Sequence, residues 1–339
     1  MSTINQFFIG IDVSKLHFDA ALMAVTNYQK QGIITCRFDN TASGLKAFGK
    51  WLKDHGVITE HTLLVMENTG IYHRLLWQFC GKQGIPVHIG NAAQIKWSLG
   101  ITRGKDDITD SIRLCKYACK EADALKAAPA LNPALIRLKD LQTSRTRLLS
   151  QLNSNLMYLR ELKNLSEKTD QKLLEQAYKT AIEGIRKSIK AIEAQIKTIV
   201  NENADLKKNY VLLLSVPGIG HITAVYLLCC TCNFAAKPSG KQLACYAGLA
   251  PFAKRSGTSL KGKPKVHKMA NKELKKLLHM GARSVIQHNP ELRQYYERKI
   301  NEGKHDLSVV NAIKNKIVLR VVAVVNNQRP YVDKTKIAA

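Results

Sequence analysis

The chain has 339 residues and a formal charge of +26, from 52 Lys and Arg against 26 Asp and Glu. This length allows two or three domains with sizeable cores, and the basic excess points to a polyanionic partner, nucleic acid ahead of a membrane surface. No stretch approaches the ~18 apolar residues of a membrane span, the N-terminus lacks the basic-then-apolar order of a signal peptide, and a cytoplasmic protein is expected.

Residues 7–125 alternate short apolar runs with amphipathic ones. "FFIGIDV", "LHFDAALMAV" and "GIITCRFD" follow one another with brief breaks, as three successive strands would. Then come a helical "ASGLKAFGKWLKDHG", a strand "TLLVME", a helix "YHRLLWQFCGKQG", a strand "PVHIG" and a helix from about Asp107 to Ala124. This pattern describes a mixed sheet covered by helices, in the order of a ribonuclease-H-like fold.

Residues 134–207 are almost free of Gly and Pro. Tyr178, Ile182, Ile185, Ile189, Ile192, Ile196 and Ile199 make a heptad seam. A rougher seam runs through Leu138, Leu141, Leu148, Leu152, Leu156 and Leu159. Two long helices parted near Ser166–Gln171 are expected, packed as a hairpin in their own domain or paired with another subunit.

Residues 208–330 read as a third, helical region. "LLLSVPGIGHITAVYLL" sets Gly218 and Gly220 between two apolar helices, where backbone N–H groups would suit a phosphate; a plain helix turn explains the same letters. The cluster Cys229, Cys230 and Cys232 has no matching second cluster and reads as buried thiols rather than a zinc site. From Lys254 to Lys276 a loop holds nine Lys or Arg and one acid, Glu273. Lacking an apolar period, it reads as a phosphate-facing surface, with Lys254, Arg255, Lys261, Lys263, Lys265 and Lys268 as contacts.

Four carboxylates stand out. Asp12 interrupts the apolar run from Phe7 to Val13, where a charge is costly unless something positive meets it. Glu67 ends "TLLVME", and Asp107 and Asp110 lie three apart near a helix start, on one face. In a ribonuclease-H-like sheet the first strand's centre, the fourth strand's end and the last helix converge. Acids gathered there repel one another unless cations intervene. Such hard oxygen ligands suit Mg²⁺, and two ions would clamp both oxygens of a phosphoryl displacement. Each acid also has an ordinary explanation: Asp106 or Asp107 as a helix cap, Asp110 on a solvated face, Glu67 paired with a Lys.

With "GIDVSK", "VMENTG", "KDDITD", "VPGIG", "LACYAGLAP" and "KRSGTSLKG" in this order, the chain resembles the DEDD-type transposases of insertion-sequence family 110/1111. That family includes the pilin-gene invertase, and the resemblance covers about residues 7–326. It implies a RuvC-like domain over 1–125, a coiled-coil connector over 126–207, a C-terminal serine transposase domain with a helix-hairpin-helix-like element over 208–330, and a tail over 331–339. It implies an acidic tetrad at Asp12, Glu67, Asp107 and Asp110. It also implies a nucleophilic serine at Ser256, directly before Gly in the loop after "AGLAP". Members are similar in using an element-encoded noncoding RNA, a bridge RNA, to specify donor and target DNA. The usual Lys-Thr-Asp is Lys105-Asp106-Asp107 here, and the usual Ala after the last Asp is Ser111; the spacing to Asp110 selects Asp107.

From the residues alone, Thr258 and Ser259 are as available as Ser256. A hydroxyl needs a base or metal to become a nucleophile; Lys254, Arg255 and Lys261 would stabilise charge on a pentavalent phosphate. The expected function is an RNA-guided DNA recombinase passing through a serine–DNA phosphoester and a junction. Since recombination holds two duplexes together, a dimer, and a tetramer on DNA, is expected. The nearer alternative is a metal-dependent junction resolvase that cuts with water. An actin-like kinase, suggested by "GIDVSK", lacks further Gly-rich phosphate loops, and a non-enzymatic nucleic-acid binder leaves Asp12 unexplained.

Overall fold

The computed structural model describes residues 5–100, 106–162, 167–256 and 260–333, and only the backbone at 5, 253–256 and 260–265. The chain divides into two compact units, Met1–Leu131 and Asn132–Ala339.

The first unit is built on one mixed sheet. Strand β1 (Asn5–Val13) lies between β2 (His17–Thr26), antiparallel to it, and β5 (Thr62–Glu67), parallel to it. Beyond β5 lies β6 (Val87–Gly90), also parallel. The third expected strand forms as β4 (Ile34–Asp39), and a short additional strand, β3 (Gln29–Lys30), precedes it; the two pair with successive stretches of the same edge of β2. The β2–β3 turn places Asn27 and Tyr28 at φ of 50° and 67°, the left-handed pair that a two-residue hairpin loop requires.

Two core layers sandwich this sheet. Phe7, Ile9, Ile11, Phe18, Leu64 and Met66 face α1 (Ala42–Asp54) and α2 (Arg74–Gln83). The alternate residues Phe8, Ala21, Met23 and Val65 face α3 (Ala92–Leu99) and α4 (Asp107–Lys120). Because side chains alternate along a strand, Gly10 and Asp12 belong to the α3/α4 face with Phe8. So do Asp19 and Glu67, in phase with Ala21 and Val65. Helix α3 is additional to the expected order; its eight residues carry too short a period to announce it.

The second unit is mainly helical. Helices α5 (Pro133–Leu162) and α6 (Lys168–Glu202) run antiparallel. Tyr158 meets Tyr178 at 5.9 Å between ring centroids, Arg145 binds Glu193 at 2.7 Å, and Leu138 packs with Ile196 and Val200. The Ile seam is therefore filled by the leucine seam of its own chain: Ile182, Ile185 and Ile189 lie against Leu148, Leu152 and Leu156. Of the two expected arrangements, the intrachain hairpin is the one formed. The base of this hairpin shares a core with Leu206 of α7 (Ala204–Leu214) and Val225 of α8 (His221–Cys230).

The remaining helices are α9 (Gly240–Tyr246), α10 (Lys272–His288), α11 (Pro290–Asn301) and α12 (Asp306–Asn327). Their starts are written in the sequence: Asn203, Asn271 and Asn289 each accept a backbone N–H at a helix start, and Ser239 with Gln242 forms a capping box. The segment expected as one basic loop is instead an antiparallel hairpin, β7 (Phe252–Ser256) and β8 (Leu260–Lys265), followed by the first turns of α10. β7 reads FAKRS and β8 reads LKGKPK, so no apolar alternation marked them. Among the described residues, no helix is long and apolar enough to cross a membrane.

Candidate active site

Helix α4 lies directly on β1. A Cβ on Gly10 would come within 2.0 Å of Cys115 N and 2.2 Å of Ser111 O, so only glycine permits this approach. The Cys115 thiol donates to Phe8 O at 3.2 Å, tying the same crossing from the helix side. The first turn of α4 therefore projects over Asp12, two residues beyond Gly10.

Asp106 starts that turn. Its carboxylate accepts from Thr109 N at 2.7 Å and from Thr109 Oγ1 at 2.8 Å, and these bonds pull its pKa below the usual carboxylate range. Asp106 is the N-cap, and this leaves Asp107 and Asp110, one turn apart, to face the sheet.

Asp12 feels all of its expected companions. Burial first, then the charges of Asp107, Asp110, Glu67 and Asp19, raise its pKa to about 6. Glu67 ends β5 one residue past Met66, which pairs with Ile11, so it emerges beside Asp12. Burial, then Asp110, raise its pKa too. The four acids singled out in the sequence thus share one end of one sheet face.

Four further side chains join them. Asp19 is directly opposite Asp12 across the β1–β2 pair and is 2 % exposed. Like charges so placed repel, and Arg37, opposite Asp19 on β4, answers with a two-pronged bond: Nε to Oδ1 at 3.0 Å and a terminal nitrogen to Oδ2 at 2.9 Å. The same Arg37 nitrogen lies 3.6 Å from Asp107 Oδ2, and His17 Nε2 lies 3.4 Å from that oxygen. On the other side, Arg113 donates to Asp110 Oδ1 at 2.5 Å. Asp19 carried the same sequence signal as Asp12, a lone acid in an apolar strand. Arg37 and His17 carried none, because their roles depend on the register.

The donor set fits a hard divalent cation. His17, Asp19 and Asp107 bring one ligand atom each within 4.8 Å of one another. Both Asp19 oxygens are nonetheless taken by Arg37, so Asp19 is an anchor rather than a free ligand. Asp12 and Glu67 are different: among the described residues neither has an ion-paired Lys or Arg, and burial penalises the charge of both. A cation at this end of the sheet would remove that penalty.

In the second unit, Ser256 closes β7 and pairs with Leu260 of β8. Its side chain, and those of Lys254, Arg255, Lys261, Lys263 and Lys265, lie outside the described residues, as do Thr258 and Ser259. Lys268 is exposed. Gly218 turns inward: at φ 88°, its missing Cβ would meet Val285, Gly281 O and Ile317 within about 3 Å, which makes it a packing residue of α7–α8 against α10 and α12. Gly220 is exposed at the N-terminus of α8 with open space around it. Burial pushes the Cys229 thiol up to about 12 and that of Cys230 higher, away from the thiolate that zinc needs.

A strongly basic chain with clustered carboxylates at the end of a mixed sheet has the make-up of an enzyme that processes nucleic acid. Comparison with known proteins makes this specific. Residues 9–166 match the DEDD-type IS110 family described as transposase, and residues 210–297 match the transposase IS116/IS110/IS902 family. The chain is 31% identical over 337 residues to the pilin gene-inverting protein of Moraxella bovis, covering 97% of this chain and 98% of that protein. The Moraxella lacunata protein of the same name is 30% identical over the same shares. A 43.6 kDa protein of insertion element IS110 from Streptomyces coelicolor is 32% identical over 139 residues, 41% of this chain and 33% of that protein. The chain belongs to the IS110/IS116 transposase family, and is thereby a DNA recombination and transposition enzyme.

Proposed function

We propose that this chain is an RNA-guided recombinase of an insertion sequence. The first unit acts as a ribonuclease-H-like, RuvC-like domain, the α5–α6 hairpin as a connector, and the rest of the second unit as the serine transposase domain. The observation that carries the reading is the convergence of Asp12, Glu67, Asp107 and Asp110 on one face, with no Lys or Arg paired to Asp12 or Glu67 among the described residues. These four would hold Mg²⁺, two ions by the number of oxygens offered. The metal would supply Lewis-acid stabilisation of the oxygens around the reacting phosphorus. Asp19 and Arg37 orient Asp107 from below, and Arg113 orients Asp110.

In the second unit, Ser256 Oγ attacks the scissile phosphate. A phosphoserine bond forms as the P–O3′ bond breaks; the serine proton leaves to solvent, and the 3′-oxygen takes one up to become a hydroxyl. That hydroxyl later attacks the partner strand's phosphoserine, restoring Ser256 and joining the strands. The basic β7–β8 hairpin holds the phosphate during both steps. The sequence of the sites is carried by base pairing to the guide rather than by side chains. The working assembly is a dimer that becomes a tetramer on DNA. Its contacts use surfaces other than the Ile seam, which is already filled within the chain.

Denaturing gels with end-labelled DNA, followed by peptide mapping, test the chemistry. A labelled adduct on Ser256, absent from Ser256→Ala, is expected. DNA cut without any adduct would make water the nucleophile and the protein a resolvase-like nuclease. Sequencing RNA that co-purifies with the protein tests the guide. Efficient site-specific recombination by RNA-free protein would refute it.

A further inference from the structure

The helical unit contains a lysine that packing alone does not explain. Lys314 lies mid-way along α12 beside Val310, Ile313, Ile317 and Val318, and is only 5 % exposed. A buried ammonium is normally paired with a carboxylate, yet among the described residues Lys314 forms no ion pair and no hydrogen bond with one. Its charged surroundings are of its own sign. Burial, and then Lys275 on α10, pushes its pKa down. His279, one turn further along α10, is pushed down by burial, then Lys314, then Arg283. Asp306 is the acid that reaches His279, and it is already occupied. Its two oxygens take the Arg283 guanidinium at 3.1 and 2.6 Å, and Oδ1 also accepts from Tyr296 at 2.8 Å.

The position of this trio is as telling as its charge. Asn311, three residues before Lys314 and on the same side of α12, donates to Leu249 O at 2.9 Å. The Lys275 stem lies 3.7 Å from where a Cβ of Gly248 would be. Both cations therefore flank the Gly248–Leu249 turn, three residues before β7 begins at Phe252. Lys275 and Lys314 thus lie near the root of the hairpin that ends in Ser256, with His279 one turn further along α10 and within the field of Lys314.

We propose that Lys275, His279 and Lys314 form a binding site for one phosphodiester group of the bound nucleic acid. This rests on the reading of the chain as a nucleic-acid enzyme. The phosphate supplies the counter-charge that the fold withholds, so the penalty of burying Lys314 is carried by the free protein and relieved on binding. The strand is thereby fixed at the base of β7–β8.

The test uses the full chain with two probes, a random DNA duplex and a single-stranded RNA, each titrated across a range of NaCl. Lys314→Met keeps the apolar stem and removes the charge; Lys275→Ala removes the second cation at a half-exposed position. Each variant should flatten the plot of log K against log salt by about 0.9 for duplex DNA, or about 0.7 for the single strand. At 0.1 M salt, binding should weaken about 5- to 10-fold. The probe whose slope changes identifies the source of the phosphate. Free Lys314→Met should meanwhile melt higher, by about 2–4 °C, which a merely structural lysine would not do. Unchanged slopes with both probes, alongside normal wild-type binding, would overturn the site alone. Wild-type protein that bound neither probe would overturn the nucleic-acid reading with it. Should Lys314→Met fold poorly, the slope of Lys275→Ala decides.

Discussion

Asp12→Asn should stabilise the metal-free protein, and only at a pH where the native carboxyl is ionised. Burial and four neighbouring acids lift its pKa from 3.8 to about 6. Below about pH 4 the carboxyl is protonated in folded and unfolded chain alike and contributes nothing. Between about pH 4 and 6 the unfolded chain releases a proton that the native state keeps, so stability falls as pH rises. Above about pH 6 both are ionised and the whole penalty is present. One pKa unit is about 1.4 kcal/mol, so the shift sets a ceiling of about 3 kcal/mol. Solvent around this half-buried group reduces that to about 1.5 kcal/mol. For a unit spanning Met1–Leu131 this corresponds to a rise in melting temperature of about 5 °C.

Thermal melts of both proteins in EDTA across this pH range provide the assay. The advantage of Asp12→Asn should grow from near zero at about pH 4 to its full value by about pH 7. Added Mg²⁺ should then stabilise wild type, by about 1.4 kcal/mol at ten times its dissociation constant, and leave Asp12→Asn nearly unchanged. Strand cleavage should be lost in the variant although its fold is firmer. A variant less stable than wild type at neutral pH in EDTA, or an advantage that ignores pH, would refute the argument.

Gly10→Ala should abolish cleavage without altering a carboxylate, because its methyl group would strike Cys115 N and Ser111 O and lift α4 away from β1; retained activity with wild-type metal affinity would contradict this. Asp107→Ala should remove cleavage and lower Mg²⁺ affinity in calorimetry. Asp106→Ala should only loosen the start of α4, and equal loss at both positions would mean the facing acid is misassigned. Ile189→Asp should reduce helicity and lower the melting temperature of the second unit, since burying a charge between the two seams costs about 3–4 kcal/mol. Light scattering should show an unchanged assembly, and dissociation without lost helicity would reverse that reading.

How much of this was legible in the sequence depended on how local each signal is. A lone acid in an apolar strand is visible in seven letters, and Asp12 stood out for that reason. Asp19 had the same signal in "HFDAALMAV", but its meaning needed the β2–β4 register that sets Arg37 opposite it. The start of α4 was readable, and the spacing to Asp110 already selected Asp107; the bonds from Thr109 to Asp106 add why the neighbouring acid caps the helix instead. Heptad spacing revealed both long seams and was silent on their partner, because a 4–3 repeat looks the same within a chain and between chains. The β7–β8 hairpin was hidden by its basic composition, which carries no apolar alternation. Lys314 was invisible for the opposite reason: one lysine in an apolar helix reads as a solvated face until α10 packs over it.

The arrangement of counter-charges explains how a protein with a charge of +26 keeps a cluster of acids. The available cations are not spread evenly over the acids. Arg37 holds Asp19 and reaches Asp107, His17 reaches the same Asp107 oxygen, and Arg113 holds Asp110. The outer acids are thus oriented and partly neutralised, and among the described residues the deficit falls on Asp12 and Glu67, the two that burial penalises. Such a centre has two ways to discharge its repulsion. A proton serves when no cation is present, as the raised pKa of Asp12 records. A divalent ion serves better near neutral pH, since it meets several oxygens at once and leaves them all ionised. The anchors hold the Asp19, Asp107 and Asp110 oxygens in place in either state, so a metal would meet a site already built and would spend little of its binding energy on folding it.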